Sequence, residues 1–388
     1  MSKRFIITIV TLLVIAVVAG IVILLAKGYT FSPKEKRIVG TGIITVSSEP
    51  DAASVYIDGH LTTATNATVP SLPPKDYSVK VVKEGFIPWE KQVSVKEGLV
   101  TAIKITLFPA IPTIYPLTFT GVDNATLSPD GSKLAYIVPG STKKGGIWVW
   151  TQMRNQPISF VRSSEPHQVA QNTITDFSKA TLKWSADSKQ VLATTGGNNY
   201  LLDFDRLNSD PRDITPLLQA TLKSWDEDTQ NKNALRVLAI KDINLRQIAS
   251  GSANARWSPD ETKFMVVNQP SAISRQSSDK TKGLKAESEA ILKADDSVKV
   301  YDLEDQKQYS LPKARSYIWL PDSMHIILIE EGTISIVDFD GTNKAVIYAG
   351  SFQDNFVFPW LDSSRMVIIS SFPTPTASEP NLYGINLK

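Results

Sequence analysis

A short phrase recurs along the chain and limits what it can fold into. It reads Leu127-Ser128-Pro129-Asp130-Gly131 before the apolar run 134–138, and Trp184-Ser185-Ala186-Asp187-Ser188 before 191–193. It returns as Trp257-Ser258-Pro259-Asp260-Glu261 before 264–267. Weaker copies are Trp319-Leu320-Pro321-Asp322-Ser323 before 326–329 and Trp360-Leu361-Asp362-Ser363 before 366–369. Ser bonds back to the backbone, Pro presets φ, Asp tolerates the bridge region, and Gly or a small polar residue exits, which is tight-turn chemistry. An aromatic residue or Leu before the turn and a β-branched run after it predict a hairpin.

Each copy is followed by an alternating strand, usually ending in acids. These are Ile147-Trp148-Val149-Trp150, Tyr200-Leu201-Leu202-Asp203-Phe204-Asp205, Val298-Lys299-Val300-Tyr301-Asp302, Ile334 to Gly341, and Leu382 to Leu387. Five paired signals at spacings of roughly 40 to 75 residues predict five propeller blades with insertions.

A length of 388 residues suits two or three units. The net charge of +2 supplies no field for nucleic acid. With no cysteine there is no disulfide, thiolate metal site or cysteine nucleophile.

Lys3-Arg4 precede an uncharged, mostly apolar run from Phe5 to Ala26. At about 1.5 Å per residue such a helix matches the roughly 30 Å hydrocarbon core. The run is longer than a signal peptide's apolar region and closes Leu25-Ala26-Lys27-Gly28 without a small-x-small site. Residues 1–27 are therefore expected to be a cytoplasmic tail and retained single-pass anchor, with the bulk of the chain extracytoplasmic. Residues 28–40 are expected to be a polar linker.

From 41 to 109 short alternating strands follow one another, among them 43–47, 54–57, 77–81, 92–95 and 101–107, which predicts a small β-sandwich. Here the turn Pro50-Asp51-Ala52-Ala53, the strand Val55-Tyr56-Ile57-Asp58-Gly59 and the later Lys83-Glu84-Gly85-Phe86 resemble a PEGA domain, although two of the turn's four letters depart. Residues 111–388, with their Ser-Pro-Asp-Gly turns and Val-Tyr-Asp-Leu strand, resemble the TolB-like, WD-repeat-type β-propellers. The resemblance implies an all-β bacterial envelope protein in which the PEGA domain serves adhesion or interaction; it carries over no catalytic residue.

Two inserts interrupt the repeat. Residues 215–250 carry Leu, Val and Ile at helical spacing, predicting two helices with one buried face each on the propeller's face or rim. Thr215 is the expected cap and Pro216 the first helical residue. Residues 268–297, rich in Ser, Lys, Asp and Ala, predict a mobile loop with a helix over 284–294.

Candidate chemistry gives way to structural roles. Asp130, Asp187, Asp260, Asp322 and Asp362 each stand alone in a turn, whereas calcium needs several oxygens converging. Asp203, Asp205, Asp338 and Asp340 read as strand-end turns. His60, His167 and His325 are isolated, with His167 expected in an inter-blade loop, and no Gly-x-Ser-x-Gly elbow occurs. Trp148, Trp150, Trp184, Trp257, Trp319 and Trp360 are expected in the inter-blade core; Trp89 is expected as the exposed aromatic, while the PEGA resemblance also makes it a candidate for the sandwich core. No residue is assigned as catalytic, cofactor-binding or metal-binding, and no cofactor is expected. The expected function is non-catalytic binding of an envelope protein or surface polymer. The alternative is a propeller enzyme, a glycan or peptide hydrolase, which would gather acids or a His-centred cluster at the central channel.

Overall fold

The computed structural model describes residues 3–26, 29–32, 37–140, 144–152, 165–252, 255–268, 297–353, 356–372 and 379–388. The expected loop and helix within 269–296 lie outside this set. The chain divides into two compact units, residues 1–111 with Lys388, and residues 112–387.

In the first unit α1 spans Lys3–Ala26, 24 residues. Side-chain exposure is described for residues 7–23, which rise about 25 Å at 1.5 Å each. Among the described residues no helix is long and apolar enough to cross a membrane. The expected linker contains a hairpin instead, β1 (Tyr29–Ser32) antiparallel to β2 (Arg37–Gly40). Thr30, Phe31, Ile38 and Val39 favour strand.

The sandwich has seven strands: β3 (Gly42–Glu49), β4 (Ser54–Ile57), β5 (His60–Ala64), β6 (Ala67–Leu72), β7 (Asp76–Val82), β8 (Trp89–Ser94) and β9 (Val100–Thr106). They form sheets ordered β6-β3-β9 and β5-β4-β7-β8. Alternate residues point inward, so Ile44, Val46, Val55, Val79 and Val81 share one core. Trp89 takes the core place that the resemblance implied, not the exposed one. It shares the inward parity of β8 with Val93, pairs with Val81 across the ladder, and is only 7% exposed.

The second unit opens with β10 (Ile114–Pro116) and builds five four-stranded antiparallel sheets. Sheet 1 is β11 (Asp123–Leu127), β12 (Lys133–Val138), β13 (Gly146–Thr151) and β14 (His167–Gln171). Sheet 2 is β15 (Thr181–Trp184), β16 (Gln190–Thr195), β17 (Asn198–Asp203) and β18 (Arg212–Asp213). After the helices α2 (Leu218–Ala239) and α3 (Ile243–Gly251), sheet 3 is β19 (Arg256–Trp257), β20 (Lys263–Asn268), β21 (Ser297–Asp302) and β22 (Lys307–Ser310). Sheet 4 is β23 (Ser316–Trp319), β24 (His325–Glu330), β25 (Thr333–Asp338) and β26 (Ala345–Ala349). Sheet 5 is β27 (Val357–Pro359), β28 (Arg365–Ser370) and β29 (Asn381–Asn386), and takes β10 as its fourth strand. In every sheet the recurring turn joins the first two strands and the second signature is the third strand.

The five turns share one geometry. The first residue donates its N–H to the sixth carbonyl, and the fourth donates to the first, as in Ser128 N to Lys133 O and Gly131 N to Ser128 O, both 2.8 Å. The third residue's carboxylate accepts the fifth N–H at 2.9–3.1 Å, from Ser132, Lys189, Thr262, Met324 and Ser364. The fourth residue is left-handed: Gly131 at φ +69°, Ser188 +60°, Glu261 +61°, Ser323 +59° and Ser363 +57°. This register corrects the alignment of the last copy. Trp360 occupies the turn's first position and Pro359 the place of the preceding Trp, because Trp360 N donates to Arg365 O.

Packing orders the sheets. Leu134, Tyr136 and Val138 share a core with Phe356, Phe358 and Trp360 of sheet 5, while Ala135 and Ile137 share one with Val191 and Leu202 of sheet 2. Both faces of sheet 1 are thus covered by sheets. Sheet 3 meets sheet 4 through Met265, Val300, Tyr317 and Trp319. Its other face packs Phe264, Val266 and Tyr301 on Ile240, Leu245 and Ala249 of the helical insert.

The insert differs from expectation in two ways. No residue of α2 is buried, and residues 226–235 are all exposed; only α3 has a buried face, Leu245 and Ala249. Thr215 is not a helix cap. It opens a 3-10 turn, and its hydroxyl accepts from Asn199 N and donates to Asp213, tying the turn to β17.

Seams 1–2 and 3–4 repeat the same three links. Trp184 Nε1 donates to Thr126 O at 3.1 Å, and Trp319 Nε1 to Arg256 O at 3.0 Å. Asp130 N donates to Ser188 Oγ at 3.2 Å, and Asp260 N to Ser323 Oγ at 3.0 Å. Lys133 and Lys263 each place Nζ 4.8 Å from a ring centroid, of Phe204 and Phe339. Between sheets 2 and 3, Glu261 stands where those serines stand and Gln190 where the lysines stand.

Candidate ligand cavity

The candidate residues fall where turn chemistry puts them. Asp130 accepts from Ser128 Oγ at 2.5 Å and Ser132 Oγ at 2.7 Å, and lies 3.2 Å from Lys133 Nζ. Burial works to raise its carboxyl, but the bonds from Ser128 and Ser132 and the lysine charge outweigh it and hold it at about 2. Asp187 and Asp260 are held low by the same balance of burial against serine and backbone bonds. Asp338 and Asp340 shape a turn, with Gly341 N donating to Asp338 O and Thr342 N to Asp340 Oδ1. Among the described residues no group of three His, Asp or Glu has the spacing to hold a metal ion.

The histidines are dispersed. His60 is exposed on β5. His167 is not in a loop but opens β14, with Nε2 2.6 Å from Phe204 O. His325 is buried between two acids, Nδ1 2.7 Å from Asp322 Oδ2 and Nε2 3.6 Å from Asp338 Oδ1. Burial tends to raise the Asp322 carboxyl, but bonding from His325 and the turn N–H groups keeps it below the usual carboxylate range. With a carboxylate facing each ring nitrogen, neither is placed to activate a serine. Trp184, Trp319 and Trp360 are buried in seams and Trp148 and Trp150 pack against the cluster of sheets 1 and 5, whereas Trp257 packs against the cluster of sheet 3 and the helical insert instead of an inter-blade core.

The convergence of elements lies elsewhere. A cavity of about 410 Å³ is lined by first strands and the residues beside them from four sheets: 125–127 of sheet 1, Arg256 of sheet 3, 317–319 of sheet 4 and 356–358 of sheet 5. Its walls are apolar and aromatic, with one cation and neither an acid nor a histidine among the lining residues. Arg256 Nη1 donates to Tyr317 O at 2.9 Å. Sequence reasoning gave Leu127 and Trp319 turn and core roles only and did not single out the other lining residues. The one signal was positional: Thr126, Arg256 and Ile318 each stand two places before the first residue of a turn.

Residues 41–111 match the PEGA domain family. That match takes in the whole small sandwich and ends two residues beyond the boundary read from the strand pattern. Among curated proteins nothing matches the chain. Similar solved structures include TolB from Acinetobacter baumannii, 13% identical over 80% of this chain and 59% of that one, with a TM-score of 0.24. The chain thus spans about three-fifths of the length of that relative. Others are a putative TolB from Agrobacterium tumefaciens (14%, 66% of this chain, 76% of that one, 0.23) and a putative 6-phosphogluconolactonase from Bacteroides uniformis (15%, 77%, 78%, 0.17). Scores this low add nothing to what the sheet order, the cavity and the PEGA domain carry by themselves.

Proposed function

We propose that the chain is a non-catalytic binding protein of the bacterial cell envelope, taking an envelope protein or surface polymer at the cavity of its second unit. The carrying observation is the lining: apolar and aromatic side chains with a single arginine, where a hydrolase would need acids or a histidine at the point of convergence. In this reading the five sheets close as a five-bladed propeller, β10 completing sheet 5, with α3 wedged between sheets 2 and 3. The PEGA domain is a second interaction module.

Membrane anchoring is part of the proposal. Twelve large apolar residues of α1, from Ile7 to Ile23, are each 47–65% exposed, and no face of the helix is polar. Such a helix needs an apolar surrounding. The 17 residues whose side chains are described fall short of a span, and anchoring rests on the backbone length of the whole helix, whose 24 residues rise about 36 Å against a hydrocarbon core of roughly 30 Å. The short tail would lie in the cytoplasm and residues 28–388 outside.

The test is capture from envelope extract with the full chain and with Ile318→Trp, which fills the cavity. Capture of a defined partner that Ile318→Trp abolishes, in a variant that still melts cooperatively, supports the reading. Capture unaffected by Ile318→Trp, or turnover of envelope glycan or peptide by the purified chain, overturns it.

A further inference from the structure

We infer that the cavity receives a carboxylate carried on an apolar body, and that Arg256 is the residue that binds it. This rests on the cavity being the binding site. Arg256 is the one charged residue of the lining, and it makes no ion pair among the described residues. Its side chain makes one hydrogen bond, to Tyr317 O at 2.9 Å. A guanidinium carries five N–H donors, so most of this fork is unspent. A half-buried cation beside Leu127, Ile318 and Phe358 is costly without a counter-charge.

The arginine is also held in place. Its carbonyl accepts Trp319 Nε1 at 3.0 Å while its Nη1 reaches Tyr317 O, so backbone and side chain are both tied to β23. A fixed planar fork suits the two oxygens of a carboxylate. The remaining wall is mostly aliphatic and aromatic, with Thr126 its other polar side chain apart from the Tyr317 and Trp319 rings, and about 410 Å³ falls within the roughly 300–1,000 Å³ of small-ligand sites. A free acid and the C-terminal residue of a peptide present the same group.

The full chain would be titrated with 4-phenylbutyrate and its amide, and with a tetrapeptide ending in Phe as free acid and as C-terminal amide. At least one acid should bind about tenfold or more tighter than its amide, the gain of one charge-assisted pair. Arg256→Gln should abolish that preference and leave amide binding within about twofold. A preference confined to the free acid or to the peptide identifies the source, and either supports the inference. Equal binding of acid and amide, a preference that survives Arg256→Gln, or no binding by any probe overturns it. Should Arg256→Gln fail to fold, Arg256→Lys keeps a cation without the fork, and a preference undiminished in it overturns the inference too. The inference failing alone leaves the effect of Ile318→Trp on capture intact; the wider reading failing removes that effect.

Discussion

At the scale of single residues, the turn aspartates act as fasteners. Asp260 accepts from Ser258 Oγ at 2.6 Å and from Thr262 N and Oγ at 3.0 and 2.9 Å. Replacing Pro259 and Asp260 with alanines removes these bonds and the preset φ, and is expected to cost about 1–3 kcal/mol in denaturant melts. Added calcium should leave the melting temperature of either protein unchanged. The carboxyls also set an acid limit. Asp130, Asp187, Asp260 and Asp322 all titrate lower folded than unfolded. Their contribution is therefore whole above the unfolded carboxylate range and fades as pH falls below it, for Asp130 down to about 2. Asp130→Asn should flatten the fall in melting temperature over that window. These roles were legible because Ser, Pro, Asp and Gly carry their geometry in their own side chains. Arg256 was not legible: its meaning depends on strands of three other sheets, and nothing local sets it apart from any other arginine.

At the scale of elements, the strands were readable and the helices only half so. Strand parity and turn chemistry are local, so each hairpin announced itself, and Trp184 and Trp319 could be assigned to seams. In the insert, Leu235 and Leu238 fit an apolar spacing yet are 68% and 67% exposed. Spacing gives a stripe but not what covers it. Leu245→Ala on α3 should therefore cost about 2–4 kcal/mol, and Leu235→Ala on α2 less than about 0.5 kcal/mol, by thermal or urea unfolding. The seam links make a sharper test. Trp184→Phe and Trp319→Phe each leave a carbonyl without its indole donor and should each lose about 1 kcal/mol. The links lie in different seams, so the double variant should show the sum.

At the scale of the molecule, the last sheet is assembled from both ends of the second unit. Tyr115 of β10 lies over Gly384 of β29, and its hydroxyl accepts from Arg365 Nη1 at 2.8 Å. A Cβ added at Gly384 would come within 2.7 Å of the Tyr115 ring. Gly384→Ala should thus displace the Tyr115 ring from β29 and cost about 1–3 kcal/mol, with Tyr115→Ala in the same chain restoring part of the loss in unfolding assays.

The pairing of Ile114 with Ile385 joins residues about 270 positions apart and so imposes an order on biosynthesis. Ribosomes deliver β10 early and its partner strand near the end of the unit. Until then β10 has no sheet to join, and the core that Phe356, Phe358 and Trp360 make with sheet 1 is missing one wall. Nascent chains arrested before residue 357 should expose that wall of sheet 1 to protease, and chains extended past Lys388 by a linker long enough to clear the ribosome should not. Were the chain exported unfolded, as the proposed anchoring requires, it would gain from such a delay.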